Sequence, residues 1–359
     1  MSAIELSEAH TGSGKVMTVN GPVSAADIGV TLMHEHVLND CTCWWNPPKT
    51  EDRQYLADSL ICMEILSELH QDPFVNKPNI TLDDENLAIK ELSALVKAGG
   101  KTLVEPTCQG IGRNPLAMQR ISKAAGLNIV IGAGYYLESS HPEKLAAMSE
   151  DDIADEIVSE AVSGVDGTDV KIGLIGEIGV SSDFTEAERK SLRGAARAQA
   201  RTGLPLMVHL PGWFRLGHDV LDIAEAEGAD LRHTVLCHMN PSHDDFTYQS
   251  ELAARGAFIE YDMIGSDFFY ADQQVQCPSD EECARAIVKL VEAGYESRIL
   301  LSHDVFLKMM LTHYGGHGYD FILKHFLPRL SRHGLDEAVL GRLMNNNPRA
   351  VFDSGFGAQ

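Results

Sequence analysis

No stretch of the 359-residue chain reaches the ~20 consecutive apolar residues that a membrane-spanning helix requires, so no span is expected. Basic residues are scarce: 29 Lys and Arg stand against 52 Asp and Glu, a formal net charge of −23. That balance speaks against nucleic acid and against an anionic membrane surface as partners, and a solvated acidic exterior accounts for it. Cysteine is sparse and odd in number. Seven in a chain of this length do not make a disulfide framework, and Cys108 and Cys237 fall in apolar runs where a reduced thiol packs as a small hydrophobe. Cys41 and Cys43 lack the second pair that a thiolate metal site needs. The first eight residues, MSAIELSE, have neither a basic start nor an apolar run, so no export signal is expected and the reducing cytoplasm is the expected location. Low-complexity tracts are few, and no linker divides the chain.

What remains is an ordinary globular composition, 44% hydrophobic and 23% charged, enough for a sizeable core. Short apolar runs alternate with stretches of helical periodicity. A hairpin comes first, 15–19 and 21–24 around the turn dipeptide Asn20-Gly21. Eight strands are predicted near 29–34, 102–106, 128–133, 172–177, 205–209, 234–238, 257–262 and 298–303. Helices lie between them: one from Thr185 to Gln199, opened by a Thr185/Glu188 capping box, one over Asp280–Glu292, and a helix-like stretch near 54–70. The pattern predicts an α/β fold, a (β/α)8 TIM barrel, with a short N-terminal β-hairpin (14–24), a barrel (29–335) and a C-terminal helix and tail (336–359) forming one domain over 1–359. A doubly wound open sheet is the alternative. Long loops follow strands one, seven and eight, carrying Trp44-Trp45, Asp267–Tyr270 and Tyr314–Gly318.

Five of the predicted strands end in residues of metal-ligand type. LMHEH ends in His36 with His34 two before it, GLIGE in Glu177, PLMVH in His209, TVLCH in His238 and LSHD in Asp304. A barrel brings the carboxyl ends of all its strands to one mouth, so these residues would converge. His34 and His36, two apart on a strand, share a face, which leaves Glu35 on the other as a structural residue. A carboxylate among apolar residues, as Glu177 is, needs a cation or donors, and it can bridge two metals at their usual separation of about 3.5–4 Å. Single histidines closing apolar runs are commonly core residues; His209 and His238, at one position of successive units, favour a shared metal. Asp304 can ligate a metal and accept a proton, or cap the following helix. Tyr135, Tyr136 and Asp262 are candidates to orient substrate, as are the loop residues His243, His313 and His317. His10, His70 and His333 read as surface residues.

Together these residues resemble the phosphotriesterase family of the amidohydrolase superfamily over essentially the whole chain. Within it, Met33-His-Glu-His36, Ile175-Gly-Glu-Ile-Gly179 and Gly134-Tyr-Tyr136 are similar to the phosphotriesterase-related, resiniferatoxin-binding-protein-like branch. The resemblance implies two divalent metal ions, zinc first and manganese, cobalt or iron as alternatives, bridged by Glu177 and hydroxide. His34, His36, Glu177 and Asp304 would hold the buried ion, and Glu177, His209 and His238 the exposed one, with Asp304 catalytic. The better-known triesterases carry a carboxylated lysine where this chain has Glu177, a departure that points toward carbonyl substrates.

The expected function is therefore a binuclear metal-dependent hydrolase of a small carbonyl ester, lactone or N-acyl amide. A phosphotriester hydrolase and a non-catalytic metal-containing ligand-binding protein are the alternatives; Asp304 beside an open metal position favours an enzyme. A Schiff-base lyase lacks a strand-end lysine. The expected partner is a small-molecule substrate, and a homodimer, the habit of such barrels, is left open.

Overall fold

A computed structural model describes residues 14–353. The hairpin forms as its turn dipeptide directs, Lys15–Thr18 pairing antiparallel with Gly21–Ser24. Eight parallel strands follow in sequential order: Thr31–Leu32, Thr102–Glu105, Asn128–Ala133, Leu174–Gly179, Leu206–His209, Thr234–Leu236, Phe258–Tyr261 and Ile299–Leu301. The ladder runs from the first strand to the eighth. Backbone bonds beyond it close the ring, from Asp304 N to His34 O (3.1 Å) and from His36 N to Val305 O (3.1 Å). Helices cover the outside, as parallel strands buried on both faces require.

The barrel interior is packed rather than hollow. Met33, Val104, Val130, Leu174, Met207, Val235, Phe258 and Leu300 form one inner cluster, one residue from each barrel unit, with Val16 of the hairpin and Val351 and Phe352 of the C-terminal helix packed against them. That cluster plugs one end and leaves polar side chains to the other, the division expected of a barrel whose chemistry sits at the strands' carboxyl ends. The helix Glu186–Thr202 carries the expected capping box of Thr185 and Glu188, and Asp280–Glu292 is helical as its periodicity indicates.

The helix expected near 54–70 does not form as one element. A 3-10 segment over Glu51–Ala57 and a short helix over Leu66–Gln71 replace it. Asn76 Nδ2 donates to Leu56 O (2.5 Å) and Ser59 O (2.8 Å), carbonyls that a continuous helix would have spent on its own next turn. Among the described residues, no helix is long and apolar enough to cross a membrane. His10 and residues 354–359 lie outside the described residues.

Candidate metal centre

The six ligand-type residues meet at the carboxyl end of the barrel. His34 and His36 follow the first strand, Glu177 lies within the fourth, His209 ends the fifth, and His238 and Asp304 come two and three residues past the sixth and eighth. His238 and Asp304 both sit at positive φ, 58° and 53°, a conformation that costs side-chain-bearing residues energy and turns them off the strand direction. Gly176 lets the fourth strand approach its neighbour closely: at φ 128°, a Cβ there would stand 2.2 Å from Met207 O.

The separations match a cation's needs. His34 Nε2 lies 3.5 Å from Glu177 Oε2 and 3.6 Å from Asp304 Oδ1, and His36 Nε2 lies 3.4 Å from Glu177 Oε1 and 3.3 Å from Asp304 Oδ1. Tetrahedral ligands held at ~2.0–2.1 Å from a metal stand about 3.3 Å from one another. On the other side, His209 Nδ1 is 2.8 Å from His238 Nε2 and 3.2 Å from Glu177 Oε2, and His238 Nε2 is 3.6 Å from that same oxygen. Among the described residues, neither ring nitrogen of His34 nor Asp304 Oδ1 finds a hydrogen-bond partner, although all are buried. Buried polar atoms left this way call for a further ligand.

Electrostatics point the same way. Burial alone would strip the proton from His36 and His238. Asp304 and Glu177 around the first, and Asp262 around the second, outweigh it and lift them to about 9 and about 10. His34 is raised well above its ordinary range against its burial, chiefly by Glu177, while burial and the neighbouring His238 lower His209. Burial would raise Glu177, yet His34, His209 and His238 hold it well below the carboxylate range. The cluster therefore holds protons where a divalent cation would displace them, so its residues fit such an ion. His34, His36, Glu177 and Asp304 would hold one, and Glu177, His209 and His238 a second.

A surrounding layer fixes the rings. His36 Nδ1 lies 2.7 Å from Thr107 Oγ1, whose hydroxyl donates to Glu105. Thr107 must then accept from His36 Nδ1–H, which leaves Nε2 free to ligate. Asp262, buried, lies 3.1 Å from His238 Nδ1 and 3.2 Å from His34 Nδ1, with Glu260 3.6 Å from the latter. Burial pushes Glu260 up to about 7. Its position at the end of predicted strand seven puts Asp262 near the mouth, but no sequence signal shows that it and Glu260 face histidine rings.

Above the centre opens a cavity of about 560 Å³. Its floor is made by His36, Glu177, His209, His238 and Asp304, and Trp44, Phe74, Trp213 and Tyr270 wall one side. Tyr136 lines it, with its hydroxyl 3.3 Å from His209 Nδ1. Tyr135 points away: its hydroxyl donates to Glu156 (2.6 Å) outside the cavity, which removes it from substrate contact. Asp262 lies behind the floor, against His238 and His34, and does not line the cavity. His243, His313 and His317 do not line the cavity. His317 stacks on His303 (5.4 Å), His70 is exposed and His333 is half-buried. All seven cysteines are free, and Cys41 lines the cavity.

Three comparisons with known proteins bear on this site. The sequence profile of the Phosphotriesterase family matches residues 14–352. N-acetyltaurine hydrolase of Tetraodon nigroviridis is 37% identical over 340 residues, covering 94% of this chain and 97% of that one. A crystal structure of a resiniferatoxin-binding protein from Rhodobacter sphaeroides superposes with a TM-score of 0.96 at 68% identity over 98% of both chains. The lactonase of Listeria monocytogenes superposes with a TM-score of 0.78 at 25% identity, over 94% of this chain and 98% of that one.

Proposed function

The chain belongs to the phosphotriesterase family, and we propose that it is a binuclear metal-dependent hydrolase of a small carbonyl ester, lactone or N-acyl amide. One observation carries this reading: six ligand-type side chains from five barrel strands converge with the spacing of cation ligands beneath a cavity. Relatives named as an amide hydrolase and a lactonase act on carbonyl carbon, which supports the substrate class. Zinc fits the nitrogen-rich donor set best, with manganese, cobalt or iron as alternatives.

Bound divalent ions supply Lewis acidity to the scissile carbonyl and to the attacking water. The protein's own groups do the rest. Asp304 lines the cavity with its side chain 14% exposed, so one oxygen can face the histidines while the carboxylate takes the proton of the attacking water and passes it to the leaving group. Trp44 Nε1–H donates to the Tyr136 hydroxyl oxygen (3.2 Å), which leaves the phenol hydrogen for an acceptor in the cavity. Burial raises Tyr136 well above the usual phenol range, so it stays a donor. It is placed to hold the substrate carbonyl oxygen as negative charge develops there. The aromatic wall excludes water around the scissile bond.

The test is turnover of a panel of lactones, N-acyl amides and aryl phosphotriesters by zinc-loaded protein, read by chromatographic detection of the products. Hydrolysis of the carbonyl compounds, lost in the double variant His34→Ala/His36→Ala, is expected. Turnover of triesters alone would overturn the substrate class.

A further inference from the structure

The cavity above the candidate metal centre has a charge character that the reaction does not require. We propose that it selects uncharged substrates and disfavours those whose leaving group carries an anion, and that Glu188 is the specificity-determining residue. The inference rests on the carbonyl-hydrolase reading for the reaction, while its binding preference stands apart from turnover.

Among the described residues, no Lys or Arg lines the cavity. The basic residues on the adjoining helix are committed elsewhere: Lys190 Nζ donates to Leu145 O (2.7 Å), and Arg189 lies over the Phe184 ring and donates to Phe184 O. Backbone N–H groups at a helix start are the usual substitute for a cationic side chain. Here the helix Glu186–Thr202 begins at the cavity wall, but its anion is built in. Glu188, 1% exposed, accepts from Glu138 N (3.2 Å), Ser181 N (3.0 Å), Ser181 Oγ (2.8 Å) and Thr185 N (3.1 Å). A cradle of donors from two loops is thereby filled by the protein's own carboxylate. An anionic substrate group at this wall would meet spent donors and a like charge, and exposed Glu138 adds another at the mouth.

The aromatic wall adds no cation either. Trp44 stacks on Phe74 (5.4 Å), Phe74 on Tyr270 (5.1 Å), and Trp213 meets Tyr270 edge-on (5.6 Å). Both indole N–H groups are committed, Trp44 to Tyr136 and Trp213 to Gln276 O (3.3 Å). Such an arc favours an apolar or planar uncharged group. The site thus differs in expected preference from relatives named for N-acetyltaurine, whose leaving group bears a sulfonate.

The experiment compares an uncleavable pair on the zinc-loaded full chain: the ketones 4-oxopentane-1-sulfonate and 5-methoxypentan-2-one, with affinity read by calorimetry. In parallel, kcat/KM is measured for the matching amides, N-acetyltaurine and N-(2-methoxyethyl)acetamide. Wild type should bind the neutral ketone about tenfold more tightly, the scale of one like charge at close range across a partly solvated cavity. Glu188→Gln, which keeps the shape, should narrow that ratio. Because this variant could lose its helix cap, Phe214→Arg supplies a second route: Phe214 lines the cavity yet is 50% exposed, and a cation there should shift the preference toward the sulfonate. Equal or tighter binding of the sulfonate by wild type would overturn the proposal. Preference for the neutral ketone with neither amide cleaved would sustain the selectivity and remove the amide from the hydrolase reading.

Discussion

Asp262 grips His238 twice: its carboxylate lies 3.1 Å from the ring Nδ1, and both of its oxygens accept the His238 backbone N–H at 3.0 Å. The ring is thereby turned to offer Nε2 to the centre, and the backbone is held at its positive φ. Substituting Asp262→Asn should lower metal affinity by roughly 10–100-fold, the usual effect of losing a carboxylate behind a ligating histidine. Competition against a chromogenic chelator checks this, and unchanged affinity would show that the carboxylate is merely packing.

Protons and metal compete for the same nitrogens. With His36 at about 9 and His238 at about 10 in the metal-free protein, zinc uptake near neutral pH should release protons, and apparent affinity should rise from pH 6 toward pH 9. Stability carries the same sign. A histidine raised above its ordinary 6.5 contributes stability that is fully present below that value and is lost as pH rises through the folded value. Chelator-treated protein should therefore lose Tm between about pH 7 and pH 10, when measured by scanning calorimetry. A flat profile would contradict the raised values.

The donor role of Tyr136 is separable from metal binding. Tyr136→Phe should cut kcat by about 10²-fold, the scale of one lost oxyanion donor, with metal content unchanged. Steady-state kinetics beside elemental analysis would distinguish this from loss of the centre. Trp44→Phe removes the bond that aims the phenol and should produce a smaller fall in kcat.

Glu35 closes the ring between the first and last strands. One oxygen accepts from Ser302 Oγ, His303 N and His303 Nδ1 (2.8, 2.9 and 2.7 Å), and the other from Val305 N (3.0 Å). All of this is buried, so Glu35→Ala strands several donors and should cost about 3–5 kcal/mol in denaturant unfolding. Burial would raise Glu35, but His303 and these bonds lower it. Its contribution is therefore present above the ordinary 4.5 and is lost as pH falls through the lower folded value.

Much of this was readable in advance because barrels repeat one rule. Five of the eight apolar runs end in residues of ligand type, so eight strands and the six converging residues followed from periodicity and position. The surrounding layer was not readable. Asp262, Glu260 and Thr107 look in sequence like any polar residue near a strand end, and only the ring closure shows which nitrogen each one faces. Tyr135 and Tyr136 are adjacent and chemically identical; the turn after strand three sends one to Glu156 and the other to the centre. The segment near 54–70 has helical spacing, but Asn76, from outside the window, takes its carbonyls. Glu188 was visible as a capping residue, whereas its place in the cavity wall depends on how strands three and four end.

The most direct test of the account is metal content per chain, by elemental analysis of wild type purified without chelator and of Glu177→Ala. About two equivalents of zinc or a similar divalent ion are expected in wild type, as two-metal sites hold, with a clear fall in the variant that lacks the shared carboxylate. Wild type that holds no metal, and takes none up from added zinc or manganese, would contradict the centre on which everything else rests.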